Sequence, residues 1–333
     1  WKPIPKTYSF AELRYSWKRK VSQWIEVQFS HAASGEFLAG LVTGEFNDYW
    51  MKQQFGRFGL QHLLAISGFH FAIIAAFLGL LLRCIFSRQV CLIALICCLG
   101  LYSFFLGPQP SILRAWLMSA LVLMAGLIEK QSTALNSLGA ALLAILAYNP
   151  LLCLELGFQL SFAITASILL LYSPAHAFCC YLFPKRTLSD VLKMNGWNQH
   201  AFCILAFFRQ ALALTLAVNL VAFPLTLYYF QQFQWLSLLY NLFFPFLATL
   251  SLCLLLIGSI FSLFPFIGTL IHYLNDHYTL FLLQMTFQIP NELDHTLRIS
   301  PFDDAGFISY LCLIYLGGVI FKQRMESTYT ASC

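Results

Sequence analysis

Charge is what this sequence has least of. Only 10% of its 333 residues are Asp, Glu, Lys or Arg, where a soluble globule carries about a quarter, and that scarcity excludes a water-facing surface over most of the chain. The sequence also lacks any C-x-x-C pair or His/Cys metal spacing. Its 11 cysteines mostly lie inside apolar runs (Cys84, Cys91, Cys97, Cys98, Cys153, Cys203, Cys253, Cys312) and read as small apolar residues, so no disulfide framework, metal or cofactor is expected. Nothing resembles a nucleotide-binding loop, which leaves a partner or the membrane potential to supply energy. The residues after Trp1 lack the basic start, apolar core and cleavage site of a signal peptide, so the chain is expected to be a piece of a longer protein.

What is present is apolar sequence in long runs. Hydrophobic residues make up 59% and the mean hydropathy is +0.73. About nine stretches, near 60–82, 90–106, 110–128, 134–148, 150–173, 202–230, 235–263, 266–288 and 305–321, approach or exceed the roughly 20 helical residues that cross a bilayer core. The fold expected is all-α, a polytopic transmembrane helical bundle of about nine spans. Pro224 and Pro245 fall inside runs and predict kinks, and the short fourth stretch predicts a tilted or re-entrant segment.

The first 58 residues differ, because they hold Lys2, Lys6, Arg14, Lys18, Arg19, Lys20, Lys52 and Arg57 against Glu12, Glu26, Glu36, Glu45 and Asp48. Ser9 and Glu12 fit a capping box, and Leu13, Trp17, Val21, Trp24 and Ile25 recur at helical spacing, so one amphipathic helix is expected from Ser9 to Phe29. Two Trp on its apolar face beside Lys18, Arg19 and Lys20 fit a helix lying on membrane lipids, and a helix packed on protein fits equally. The domain reading is a juxtamembrane segment over 1–58, a transmembrane domain over 59–322 and a short cytoplasmic tail over 323–333. Alternate short loops put Arg83, Arg88, Lys130, Lys185, Arg186, Lys193, Lys322 and Arg324 on one side and only Arg298 on the other, where the last loop holds Glu292, Asp294, Asp303 and Asp304. The first side is thereby expected to be cytoplasmic. The basic amino-terminal segment then lies outside, against that rule, which long segments commonly escape.

Inside the expected spans lie Arg114, Glu155, Arg209 and Asp276, together with His62, His70, Gln159, Asn219, Asn241 and His272. Ionisable groups in lipid cost several kcal/mol unless paired or hydrated, so each is a candidate. Arg209, near an inner end, reads as a snorkelling residue. His62, Arg114, Glu155 and Asn241 fall near the outer ends of four stretches, at one depth, and Glu155 and Gln159 share a face at i+4. Two readings of that set stay open: an Arg114–Glu155 ion pair that locks helices, and a polar ring at the mouth of a pathway. His272 and Asp276, also at i+4, read as a paired core histidine, since two groups are too few for a metal.

Four strings then carry a resemblance. "GLQHLLAISGFHF" (Gly59 to Phe71), "PSILRAWLM" (Pro110 to Met118), "LGFQLSF" (Leu156 to Phe162) and "AFPLTLYYFQQFQWLSLLYNLFFPF" (Ala222 to Phe246) resemble, in order and spacing, the membrane domain of the ComEC competence-protein family. "FLAGLVTGE" (Phe37 to Glu45) is similar to that family's lead-in. The resemblance implies an inner-membrane channel that passes single-stranded DNA into the bacterial cytoplasm during natural transformation. It marks His62, Ser67, Gly68, His70, Arg114, Gly157, Gln159, Ser161, Asn241 and Pro245. With Glu155 added from the depth argument, His62, Ser67, Gly68, His70, Arg114, Glu155, Gln159, Ser161 and Asn241 form the expected DNA pathway. The partners expected with it are single-stranded DNA, membrane lipids, a cytoplasmic ATP-driven motor, an outer DNA-delivery protein and further copies of the chain.

The oligonucleotide-binding barrel usual before this domain in the family lies outside the sequence. No H-x-H-x-D-H follows Ser300, so no catalysis on DNA is expected. A single strand needs cationic or hydrogen-bonding groups for phosphates and apolar faces for bases. Arg114, His62, Gln159 and Asn241 supply the former and some of the 33 Phe the latter, although Phe is also an ordinary lipid-facing residue. The rival readings are a secondary transporter of a small solute, using Arg114, Glu155, Asp276 and the histidines, and a membrane enzyme. The absence of an internal repeat weakens the transporter.

Overall fold

A computed structural model describes residues 9–64, 68–186, 188–288, 296–298 and 303–331. Ser67, Glu292 and Asp294, singled out above, lie outside the described residues. Helices account for nearly all of the regular structure: α1 (Phe10–Glu26), α2 (Ala32–Thr43), α3 (Tyr49–Arg57), α4 (Gln61–Leu64), α5 (Gly68–Ile85), α6 (Arg88–Leu106), α7 (Pro110–Leu127), α8 (Ala134–Tyr148), α9 (Leu156–Leu182), α10 (Leu188–Leu192), α11 (Gly196–Phe230), α12 (Leu236–Phe261), α13 (Pro265–Phe287) and α14 (Asp304–Ala331). The fold is all-α and polytopic.

Each of the nine apolar stretches carries a helix, and seven of these, α5, α6, α7, α9, α11, α12 and α14, are long and apolar enough to cross a membrane. The chain is a multi-pass membrane protein. Of the other two, α8 has 15 residues, about 22 Å at 1.5 Å per residue, short of a core about 30 Å thick. The second, α13, is long enough, but His272, Asn275, Asp276 and Thr279 give it a polar face. Pro224 and Pro245 do lie inside continuous helices, and so does Pro174 in α9, which carries that helix nine residues beyond its expected end. The loop at Gln231 to Gln234 contains a strand, β1 (Gln232–Gln234), paired antiparallel with β2 (Thr296–Arg298) in the register Gln232 to Arg298 and Gln234 to Thr296.

The chain packs as two compact units. The first comprises 1–158 and 244–295 and the second 159–243 and 296–333, so that α9 and α12 contribute to both. In the first unit, α1 begins as its sequence dictates, with the Ser9 hydroxyl accepting the Glu12 N–H at 3.2 Å. Ile25 and Lys18 are buried on one face, while Phe10, Leu13, Trp17, Trp24 and Val27 form an exposed stripe on another. Phe37, Leu38, Met51, Phe55 and Phe58 are wholly buried, and the Phe55 ring meets Phe244 edge-on at 5.6 Å. Burial of such side chains is worth about 1.5–3 kcal/mol each. A second cluster, Phe71, Leu95, Leu99, Leu106, Ile112 and Ala115, knits α5, α6 and α7.

The second unit is stapled by tyrosines on and around α14. Tyr315 donates to the Ala163 carbonyl at 2.8 Å and Tyr310 to the Leu220 carbonyl at 2.9 Å. Tyr228 donates to Asp304 at 2.8 Å and stacks on Phe307 at 4.3 Å.

Candidate functional site

Arg114 is a buried cation of the first unit, as is Lys18. Pro110 starts α7 with the fixed φ and missing N–H that a first helical position tolerates, and Arg114 follows one turn later. The residue is 8% exposed. Its guanidinium lies against the start of α5: a methyl group built on Gly68 would sit 2.8 Å from Arg114 Nη2. Arg114 Nε is buried with no hydrogen-bond acceptor among the described residues. His70, two residues along α5 from Gly68, is also buried.

The structure does not pair Arg114 with Glu155. Among the described residues the ion pairs are Lys18 with Glu45 at 3.0 Å and His31 with Asp276 at 3.0 Å. Glu155 is exposed and lies outside the span that was expected to contain it. The reason is local: Asn149 accepts the Leu151 N–H at 3.1 Å and starts a 3-10 turn, Pro150–Leu154, and Glu155 then adopts extended backbone before α9 begins. His62 is likewise outside the long helices. Gly59, at a φ of 64° that favours glycine, breaks the chain after α3. His62 then falls on the exposed face of α4, with its Nδ1 3.1 Å from the Gly59 carbonyl. Although it keeps accessible surface, desolvation by the surrounding protein pulls its pKa below the usual 6.5, against the opposing Gly59 bond. It therefore offers neutral hydrogen bonding at neutral pH.

Gln159, Ser161 and Asn241 belong to the second unit. The Tyr229 hydroxyl donates to Gln159 Oε1, an orienting partner that sequence reasoning missed although Tyr229 lies inside the fourth family-like string. Ser161 Oγ and Asn241 Oδ1 are buried without hydrogen-bond partners among the described residues. Thus the expected pathway residues are divided: Gly68 and Arg114 meet in the first unit, and Gln159, Ser161 and Asn241 line elements of the second.

Three other charged candidates have structural partners. Arg209 is 4% exposed and donates from Nη1 to the Phe183 carbonyl at 3.2 Å, just past the end of α9, where a cation favours both the free carbonyl and the helix dipole. Asp276 is not a partner of His272. Its Oδ2 accepts the Ser30 and His31 N–H groups at 2.9 and 3.2 Å and the His31 imidazole at 3.0 Å, while Ser34 donates to its main-chain carbonyl at 3.2 Å. The residue before α2 has no side-chain cap of its own, so Asp276 caps that helix from 245 residues away in sequence. His272 packs edge-on against Phe29 at 5.6 Å and fills the space over Gly258. Lys18, placed by the sequence with Arg19 and Lys20 beside the apolar face of α1, is 8% exposed and paired with Glu45, as in a helix packed on protein.

Comparison with known proteins adds the family. Residues 44–324 match the family described as Competence protein. The chain is similar to "ComE operon protein 3" of Bacillus subtilis (strain 168), 30% identical over 187 residues that cover 56% of this chain and 21% of that protein. The match therefore spans about a fifth of the relative's length. No solved structure matches. A family match over residues 44–324, which contain His62, Gly68, His70, Arg114, Glu155, Gln159, Ser161 and Asn241, identifies the chain as a member of the Competence protein family.

Proposed function

We propose that this chain forms the inner-membrane passage through which a single DNA strand reaches the bacterial cytoplasm during natural transformation. The observation that carries the reading is Arg114: a guanidinium 8% exposed, one turn inside an apolar helix, with no carboxylate paired to it among the described residues. A buried charge without a counter-ion costs several kcal/mol, and a passing phosphate offsets that cost where a packing role does not. His62 and Asn241 contribute neutral hydrogen bonding, as do Gln159 and Ser161, while Gly68 and His70 shape the wall beside Arg114; Ser67 and Glu155 belong to the same segments. The transporter reading draws no support from Asp276, whose carboxylate is engaged in capping α2.

The passage performs no chemistry on DNA, and an ATP-driven cytoplasmic motor and an outer DNA-delivery protein work with it. The amino-terminal segment and Gln231 to Gln234 face outward, and Lys185 to Lys193 face the cytoplasm. A strain deleted for the gene, complemented by this chain in its full-length context, is expected to regain uptake of labelled DNA and to lose it with Arg114→Gln at unchanged membrane level. Uptake by the deletion strain equal to the parent refutes the function. Single cysteines in a background without native ones test the orientation: an impermeant reagent is expected to label position 232 and not position 193 in intact spheroplasts, and labelling of position 193 overturns it.

A further inference from the structure

The first unit contains two adjoining hollows, of about 590 and 360 Å³, the larger within the roughly 300–1,000 Å³ of ligand-sized clefts. Lys52 and Gln61 line the larger; Arg14, Tyr15 and Lys18 line the smaller; Glu45 and Gln109 line both, so the two lie side by side as a two-part cleft. The charges do not cancel. Lys18 is bound to Glu45 at 3.0 Å, and Arg14 and Lys52 remain as a net positive pair. Arg14 is held in place by the Phe104 ring, 5.8 Å from its guanidinium carbon, and by the backbone of Gly107, on which a methyl group would stand 3.5 Å from Arg14 Nη1. Gly107 has a φ of 106°, a conformation that keeps this wall in glycine.

The cleft opens at the heads of the two elements that carry His62 and Arg114. Gln61 is the residue before His62. Gln109 precedes the first turn of α7, and Arg114 is five residues further, about 7.5 Å along the axis. We propose that this cleft is the capture site for the phosphodiester backbone of an incoming single strand, with Arg14 and Lys52 each on a phosphate, the Gln61 and Gln109 amides as hydrogen-bond donors, and Tyr15, 39% exposed, as a stacking face for a base. Paired cations with neighbouring amides and an aromatic ring are the elements of a sequence-tolerant single-strand site. The proposal rests on the DNA-passage reading and adds where the strand is first held.

The full-length protein in nanodiscs of phosphatidylcholine, titrated with fluorescent oligothymidylate over a range of salt, tests it. Each phosphate contact on a single strand contributes about 0.7 to the slope of log affinity against log salt, so Arg14→Gln with Lys52→Gln is expected to bind more weakly and to lose about 1.4 from that slope. Arg19→Gln with Lys20→Gln, exposed residues on α1 that do not line the cleft, is expected to keep the parent's slope. A cleft variant with the parent's affinity and slope, or a parent that binds no oligonucleotide, overturns the capture site. If nanodiscs containing anionic phosphatidylglycerol abolish binding to the parent, the cleft is a lipid headgroup site and the proposal also falls. Uptake in cells separates this from the passage itself. The cleft variant is expected to need more DNA for half-maximal uptake with an unchanged maximum, whereas loss of the maximum even at saturating DNA assigns Arg14 and Lys52 to the passage and overturns a capture role. A full-length parent that restores no uptake refutes the passage reading, whatever the oligonucleotide binding shows.

Discussion

Two buried arginines, one in each unit, show how differently one residue type is used. Arg209 and Arg114 are 4% and 8% exposed, and each lies in a long apolar helix. Arg209 donates to the Phe183 carbonyl at the end of α9, so its charge is spent on a helix terminus whose carbonyls need a donor. Arg114 rests against the backbone of Gly68, and no carboxylate among the described residues pairs with it. Burial alone does not distinguish function from architecture; the partner does.

Asp276 sets the standard for a buried charge with a purely architectural role, and it gives the largest effect. Asp276→Ala leaves the Ser30 and His31 N–H groups and the His31 imidazole without their acceptor. The cost expected for removing one side of such a buried charged set is about 3–5 kcal/mol, read as a lower melting temperature in detergent and a lower membrane level. Thermal stability equal to the parent would show that α2 is held without it.

Arg114→Gln comes next, and it moves the other readout. The loss of a charged hydrogen bond to a phosphate, about 1.5–3 kcal/mol, corresponds to a fall of about 10- to 150-fold in uptake per molecule, at a membrane level near that of the parent. Adding Glu155→Gln is expected to restore nothing, because Glu155 is exposed and makes no ion pair with Arg114. Recovery of uptake in the double variant would return Arg114 to a structural role and erase its contrast with Arg209. Arg209→Gln is the matched control. It is expected to cost about 1–3 kcal/mol of stability with uptake per molecule unchanged, and a loss of uptake at full membrane level would break the comparison from its other side.

The helices were legible because apolar runs of bilayer length are a local property of sequence, and nine such runs became nine helices. Their ends were less legible: Pro174 lies inside α9, because a proline forfeits one hydrogen bond without ending a helix that lipid or packing sustains. Partners across the chain were not legible at all. Spacing at i+4 placed His272 beside Asp276 on one helix face, yet the carboxylate serves a helix terminus 245 residues earlier, and periodicity carries no information on contacts of that separation. Lys18 with Glu45 and Gln159 with Tyr229 were missed for the same reason. Of the candidate residues, the placement of Arg114 one turn inside an apolar helix was readable; which of them meet was not.

The smallest effect sharpens the comparison most finely, because it changes only the surface on which Arg114 rests. The strings containing Gly68 and Gly157 offer equal grounds in sequence for close approach of a helix or a ligand, but their surroundings differ. A methyl group at Gly157 would meet nothing within 4 Å, whereas one at Gly68 would stand 2.8 Å from Arg114 Nη2. That neighbour is the far end of a flexible side chain, so Gly68→Ala is expected to fold and to displace the guanidinium by a fraction of an ångström to about 1 Å. Displacement of a positioned group by that much reduces a rate by up to about 100-fold when it acts on the reacting centre itself. For a group that guides a mobile strand, a smaller loss of about three- to tenfold in uptake is expected. Gly157→Ala should leave uptake and membrane level at the parent's values. Uptake measured per molecule in both variants decides the matter: equal behaviour of the two alanines would show that the position of the Arg114 guanidinium is irrelevant to passage, and with it the distinction drawn from Arg209.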